Sequence, residues 1–359
     1  MSNGGSAPLD LSFDWSYAYG GPVGSGVMRT EPEDFVVVEN LGFEASGEGE
    51  HAFLTVRKRN SNSDWIARQI ARLVGVQKMD VGLAGMKDRR AVTTQAFTVT
   101  TTGREEPDWS LLNRDQDGEQ IELLSVSRHR RKLKRGELAG NHFTIVLRQV
   151  DGDQAEIDNR LATIKERGIP NYFGEQRFGF DGDNLQQASR MFSREIKVKD
   201  RSKRGIYLSA ARSYLFNHLL SLRVEAGNWD QVIDGDWVWT EEDPRGFTFA
   251  MDNPQHCELL EQGRLIHAGP LWGDGRSLTE RDASLFENRV AAQNAALIEG
   301  LKGARMDQSR RPLQMKIDGL KWEWLSSTEL QLGFSLPAGS YATALIRELM
   351  VTMIPAVND

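Results

Sequence analysis

The apolar positions of this chain change their spacing along its length, and the spacing divides it into parts. Between residues 30 and 167 the apolar runs are short and strand-like: Phe35-Val36-Val37-Val38 within 30–41, then 52–57, 120–126 and 141–150. Helical spacing enters twice. Ile66, Ile70, Leu73 and Val74 share one face of a helix that Asn62 or Ser63 would cap, and residues 154–167 predict a second helix. Residues 81–86 read as a short buried strand and 97–100 as another. At Gly168-Ile169-Pro170-Asn171 the register breaks. Residues 185–300 then read as mainly helical, over 185–192, 206–224 and 280–302, with Trp/Pro/Gly-rich loops between them. Strand texture returns at 315–325 and 329–336, which predict a hairpin. Pro337 and Ser340 introduce a closing helix whose stripe is Tyr341, Leu345 and Leu349. The pattern predicts an α+β chain with a β-rich domain, 1–167 with 318–359, and a largely helical domain, 168–317, inserted into it.

Composition narrows this picture. The 359 residues and 39% hydrophobic content suffice for two cores. No run approaches the ~18–20 apolar residues of a membrane span. The first residues, MSNGGSAPLDLSF, lack the basic and apolar regions of a signal peptide, and residues 1–8 read as a flexible tail. The single cysteine, Cys257, excludes an internal disulfide and fits a reducing compartment, so a cytoplasmic protein is expected. The net charge of −7 speaks against a polyanion partner, but its distribution does not. Residues 128–135 (RHRRKLKR) hold six Lys/Arg and no acid, and 194–204 (REIKVKDRSKR) hold six against two acids. Arg310, Arg311 and Lys316 add a third basic patch. Three such patches on an acidic body suit a nucleic acid.

The candidate chemistry sits in residues 82–98, GLAGMKDRRAVTTQAFT. Asp88 lies among Lys87, Arg89 and Arg90 in what reads as a tight loop between strands, and cations this close favour its ionised form. Three flanking cations would let a carboxylate approach a phosphate-rich substrate. The loop is not a phosphate cradle, since Gly85-Met86-Lys87-Asp88 lacks the P-loop spacing. The six histidines are scattered, and neither metal-ligand nor dinucleotide spacing occurs, so no metal and no cofactor is expected.

Four stretches then stand together: AGMKDRRAVTTQ (84–95), GNHF (140–143), NYFGEQRFG (171–179) and LPAGSYATALIREL (336–349). As a set they resemble the TruD family of tRNA pseudouridine synthases, and the resemblance spans the chain, inserted domain included. It implies an isomerase of the pseudouridine-synthase fold, a mixed and largely antiparallel sheet with flanking helices, that converts uridine 13 of tRNA. It implies Asp88 as catalytic carboxylate and Lys87, Asn141, Phe143, Phe334 and Arg347 around the substrate. In this reading Lys87 aims at phosphate, Phe143 and Phe334 stack on the flipped-out base, and Asn141 reads the pyrimidine edge or holds the Asp88 loop. Arg347 is expected to be the cation paired with Asp88. The basic runs would follow the tRNA backbone. A monomer with no membrane association and no obligate protein partner is expected. Another RNA target, or a non-catalytic RNA-binding protein of the same fold, is left open.

Overall fold

The computed structural model of the chain describes residues 13–353. The expected N-terminal tail lies outside them. The described residues fall into two compact units: 22–165, 317–342 and 349–353 form a sheet unit, and 13–21, 166–316 and 343–348 form a helical unit.

The sheet unit is built on a ten-stranded mixed sheet. Its order is Asp318–Ser326, Glu329–Pro337, Gly140–Gly152, Phe35–Asn40, Val92–Thr100, His51–Arg59, Glu119–His129 and Arg114–Gln116. Neighbours along this order pair antiparallel, except that Phe35–Asn40 runs parallel to Val92–Thr100. Strand Gly140–Gly152 is long enough to serve two partners on one edge. Its first half pairs with Phe35–Asn40 and its last part with Gly24–Met28. Alternation explains which side chains face the core. Leu54, Val56, Phe97 and Val99 all point to the face covered by helix Ser63–Val74, whose Ile66 and Ile70 are fully buried against them. Asn62 caps that helix by accepting from the Asp64 amide, and Gly75 ends it in the left-handed conformation. The predicted hairpin forms, and Trp322 and Trp324 both donate from Nε1 to Asp158 Oδ1 on helix Gln154–Arg167.

The helical unit contains helices Asp183–Phe192, Arg201–Glu225, Pro254–Glu261, Arg281–Gln293 and Ala295–Gly303. It also holds a four-stranded sheet ordered Phe247–Thr248, Trp237–Trp239, Ile266–Leu271 and Ser309–Pro312. The sequence pattern predicts loops there. Trp237-Val238-Trp239 is too short to show a period, and Ile266–Leu271 carries Gly269-Pro270, which ordinarily marks a turn. Gly269 is required by packing, since a Cβ would come within 2.8 Å of both Leu219 and Leu313. The single helix predicted over 280–302 is two, because Asn294 leaves helical geometry at φ −127° and ψ 33°. Its side-chain amide donates to the Val290 carbonyl and lies 3.1 Å from His218 Nδ1.

Two further expectations change. Residues 13–21 pack in the helical unit, not in the β-rich domain. Phe13 and Trp15 stack among Tyr172, Phe178 and Tyr214, and the Ser16 amide donates to Ser221 Oγ at 2.9 Å. Burial of this aromatic cluster outweighs chain order here. In the segment Asn171–Gly179, residues Asn171, Tyr172, Phe173 and Phe178 are buried in the same unit: Asn217 exchanges two hydrogen bonds with the Phe173 backbone, and Arg311 lies 4.1 Å over the Phe173 ring.

Candidate active site

The Asp88 loop is not a strand followed by a turn. Residues 81–91 are irregular, and only Gly82 makes a β-bridge, exchanging both hydrogen bonds with Thr98. The reason is local crowding. A Cβ on Gly82 would sit 2.5 Å from the Leu133 carbonyl oxygen and from Thr98 Oγ1, so the chain passes here with no room for a side chain. Beyond that bridge the loop is held by individual bonds. The Gly136 amide donates to Ala84 O, Gln95 Nε2 donates to Gly85 O, and the Lys87 amide donates to Ser63 Oγ. Ser63 in turn donates to Gln95 Oε1, which ties the loop to the start of helix Ser63–Val74.

Two buried lysines finish the job. Lys58, on strand His51–Arg59, is fully buried and donates from Nζ to the Asp88 carbonyl at 2.6 Å and the Ser61 carbonyl at 2.8 Å. Burial pushes its pKa down to about 8, partly opposed by the nearby Asp88 charge. Lys87 donates from Nζ to Glu39 Oε1 at 2.8 Å, with side-chain exposures of 6% and 1%. Glu39 also accepts from the Ala96 amide at 3.0 Å. Lys87 is therefore a loop anchor and does not reach outward to phosphate, as the sequence suggested.

Asp88 itself stays accessible. Its side chain is 41% exposed, and Oδ2 accepts from Arg29 NH2 at 2.7 Å. Arg29 is 10% exposed, takes the left-handed conformation at φ 64°, and lays its guanidinium 3.9 Å over the Phe35 ring. The turn after it is fixed by Asp34, which accepts from the Glu31 amide and from Arg148. The cation beside Asp88 is thus Arg29. Arg347, expected in that role, pairs with Glu348 at 2.9 Å, donates to the Trp15 carbonyl and lies 3.7 Å over Tyr17 in the helical unit. Its i,i+7 spacing from Ser340 places it on a helix face but names no partner.

Phe143 and Phe334 are brought together, but not as an open platform. They face each other across paired strands at 5.4 Å and 22°, with exposures of 7% and 0%. Phe143 also meets Phe35 edge-on at 6.1 Å. An aromatic column therefore runs Phe334, Phe143, Phe35 to the Arg29 guanidinium, and ends at Asp88. Asn141 lies two residues before Phe143 on the same face, opposite Glu39 in the strand register. Its Oδ1 is buried and accepts no hydrogen bond.

Sequence reasoning missed Arg29, Phe35, Glu39 and Lys58. Phe35 was visible only as the start of an apolar strand, and Lys58 as one basic residue in Arg57-Lys58-Arg59. No signal in the chain distinguished a buried lysine from its exposed neighbours. Among the described residues no cluster of three His, Cys, Asp or Glu could hold a metal ion, and no helix is long and apolar enough to cross a membrane.

With the site in view, the comparisons can be placed beside it. A family model described as tRNA pseudouridine synthase D (TruD) matches residues 15–188 and 181–349. The chain is 45% identical over 339 residues to the tRNA pseudouridine synthase D of Methylococcus capsulatus, covering 94% of each chain. It is 44% identical to that of Nitrosococcus oceani, covering 93% of this chain and 94% of the relative. A crystal structure of the putative tRNA pseudouridine synthase D from Methanosarcina mazei shares the fold, with a TM-score of 0.70 at 22% identity, covering 93% of this chain and 95% of that one. The chain belongs to the tRNA pseudouridine synthase D (TruD) family.

Proposed function

We propose that this chain converts uridine to pseudouridine in tRNA, at position 13, with Asp88 as the catalytic carboxylate. The observation that carries this reading is the state of Asp88. Its backbone is anchored by buried Lys58 and the neighbouring Lys87–Glu39 pair, yet its carboxylate is exposed and engages a single guanidinium. A fixed, accessible carboxylate suits a reaction in which the uracil N1–C1′ bond breaks, the base turns, and a C5–C1′ bond forms with loss of the C5 proton to water. Asp88 can act by attack on C1′, by attack on C6 or by removing the C2′ proton. Each route needs a placed carboxylate and no net redox change.

The surrounding groups have matching roles. Uridine in folded RNA must be flipped out, at a cost of a few kcal/mol. The unpartnered Asn141 Oδ1 suits the uracil N3–H donor, because a buried acceptor left empty is costly and a bound base would fill it. Phe143 and Phe334 form the wall behind Phe35 and hold Arg29 against Asp88. Residues 168–317 form the inserted TRUD-type domain. Cytoplasmic tRNA modification by a monomer is the corresponding setting.

The test is tritium release from tRNA labelled with [5-³H]uridine. Wild type is expected to release tritium with no added cofactor, and the released fraction should map to position 13. Asp88→Asn should lose turnover by at least ~10³-fold while binding tRNA normally. An Asp88→Asn variant that keeps turnover, or release from a different position, would overturn the corresponding part.

A further inference from the structure

The helical unit has a cavity of about 540 Å³ between helices Asp183–Phe192, Arg201–Glu225 and Ala295–Gly303. This is within the ~300–1,000 Å³ of ordinary small-ligand sites. Its floor is apolar. The Phe192 ring packs directly on Gly300, where a Cβ would lie 2.1 Å from the ring, and Leu297 continues the surface. Its walls carry Arg194 and Arg204. Among the described residues neither guanidinium forms an ion pair, and Arg204 lies 3.8 Å from the Met191 sulfur. The one carboxylate in the lining, Glu299, is taken up by Lys302 at 3.1 Å.

Arg194 is exposed and Arg204 half-buried, so both guanidinia stand at the cavity's edge, whereas most other arginines of the chain find an acid. Around them, Lys197, Lys199, Arg201 and Lys203 have no ion pair among the described residues either; of the two acids in the segment, Glu195 pairs with Arg190 and Asp200 caps helix Arg201–Glu225. Two planar, weakly hydrated cations over an apolar floor match one chemical class well: a phosphate ester joined to a flat aromatic base. We propose that this cavity binds a nucleotide of the tRNA, its phosphate held by Arg194 and Arg204 and its base lying on the Phe192–Gly300 floor. This deepens the functional reading above and rests on it for the identity of the RNA. The site is separate in the chain from the Asp88 loop, and its task is affinity for the folded tRNA, not chemistry.

Gly303 provides a clean test. It lines the cavity, and a Cβ added there meets no atom within 4 Å. Gly303→Glu therefore puts a carboxylate at the lining of the cavity without disturbing packing, and Gly303→Ala is its control. Binding of the full-length chain to a fluorescent, unmodified tRNA transcript is measured by anisotropy across a salt series, with tritium release followed in parallel. Gly303→Glu is expected to weaken binding about tenfold by charge repulsion. Arg204→Gln should weaken it severalfold and flatten the slope of log K against log salt by about 0.9, one phosphate contact. Gly303→Ala should bind as wild type and reach the wild-type rate at saturating tRNA, and all three variants should unfold at the wild-type temperature. Wild-type binding by Gly303→Glu overturns the proposal, whether or not Arg204→Gln weakens binding, because the arginine would then act outside the cavity. If wild type binds tRNA but releases no tritium, the isomerase reading fails, while the binding series still decides the cavity's role.

Discussion

Residues 128–135 and 194–204 each carry six Lys/Arg, and in sequence they look alike. In the fold they differ. In the first run Arg128 pairs with Glu106, Arg130 with Glu48 and Arg131 with Glu137, while Lys132 donates to the Met79 carbonyl. In the second run none of the six forms an ion pair among the described residues, and the acid within it, Glu195, pairs with Arg190. The third patch is no freer than the first: Arg310 is buried against Glu287, and Arg311 is bound to Asn171. The cations of the Asp88 site are committed as well, to Asp88, Glu39 and backbone carbonyls. Charge density in a sequence is therefore no measure of charge available to a phosphate. A cation with a near acid must give up that partner before it can serve RNA, whereas an unpaired one has only water to lose.

The contrast can be attacked first where the effect is largest. Arg29 is the committed cation nearest the chemistry. Arg29→Gln should lower turnover by about 10²-fold, since Asp88 loses the guanidinium bound to its carboxylate. The tRNA dissociation constant should stay near wild type, because a guanidinium spent on Asp88 contributes little to phosphate binding. A variant that loses affinity instead of rate would place Arg29 with the free cations.

Lys58 gives the next largest effect, and its sign can be worked out. Its folded pKa of about 8 lies below the ordinary lysine value of 10.5 that the unfolded chain would keep. Between these values the unfolded chain binds more protons, so stability rises with pH across that window. Below about 8 both states are charged and the cost of burying the charge is fully present. Compared with Lys58→Met, the wild type should gain roughly 2 kcal/mol on going from pH 7 to pH 10. Urea unfolding of both proteins at the two pH values checks this. Parallel curves would mean that Lys58 titrates as an exposed lysine and does not clamp Asp88.

The smallest effect is the most direct comparison of the two basic runs. Arg130→Gln and Lys199→Gln each remove one charge from a surface segment. Lys199→Gln should reduce the salt slope of tRNA binding by about 0.9, and Arg130→Gln should leave it close to unchanged. Equal slopes would show that phosphate displaces Glu48 from Arg130 at no cost, and the distinction between the runs would fall.

What was legible in the chain depended on how local its cause was. The strand pattern, the Asn62 cap, the helix over 154–167 and the late hairpin follow from side-chain period and capping, which operate within a few residues. Asp88 was conspicuous because four charges in a row are rare between apolar runs. Asn141, Phe143 and Phe334 stood out only through resemblance. The short strands of the helical unit were hidden because two or three residues cannot display a period, and the break at Asn294 because its cause is a hydrogen bond to His218 far along the chain.

The amino-acid sequence by itself determined the α+β class, the change of texture after residue 168, the family and the residue on which the proposed chemistry turns. Only the tertiary structure decided which cation stands beside Asp88, that Lys87 is an anchor, that the two phenylalanines are a buried stack, and which basic run is free. The reason is physical. Helix and strand periods are set by backbone geometry and near neighbours, whereas an ion pair or a ring stack is set by whichever groups the sheet register brings within a few ångströms, and Arg29 meets Asp88 across fifty-nine positions of chain.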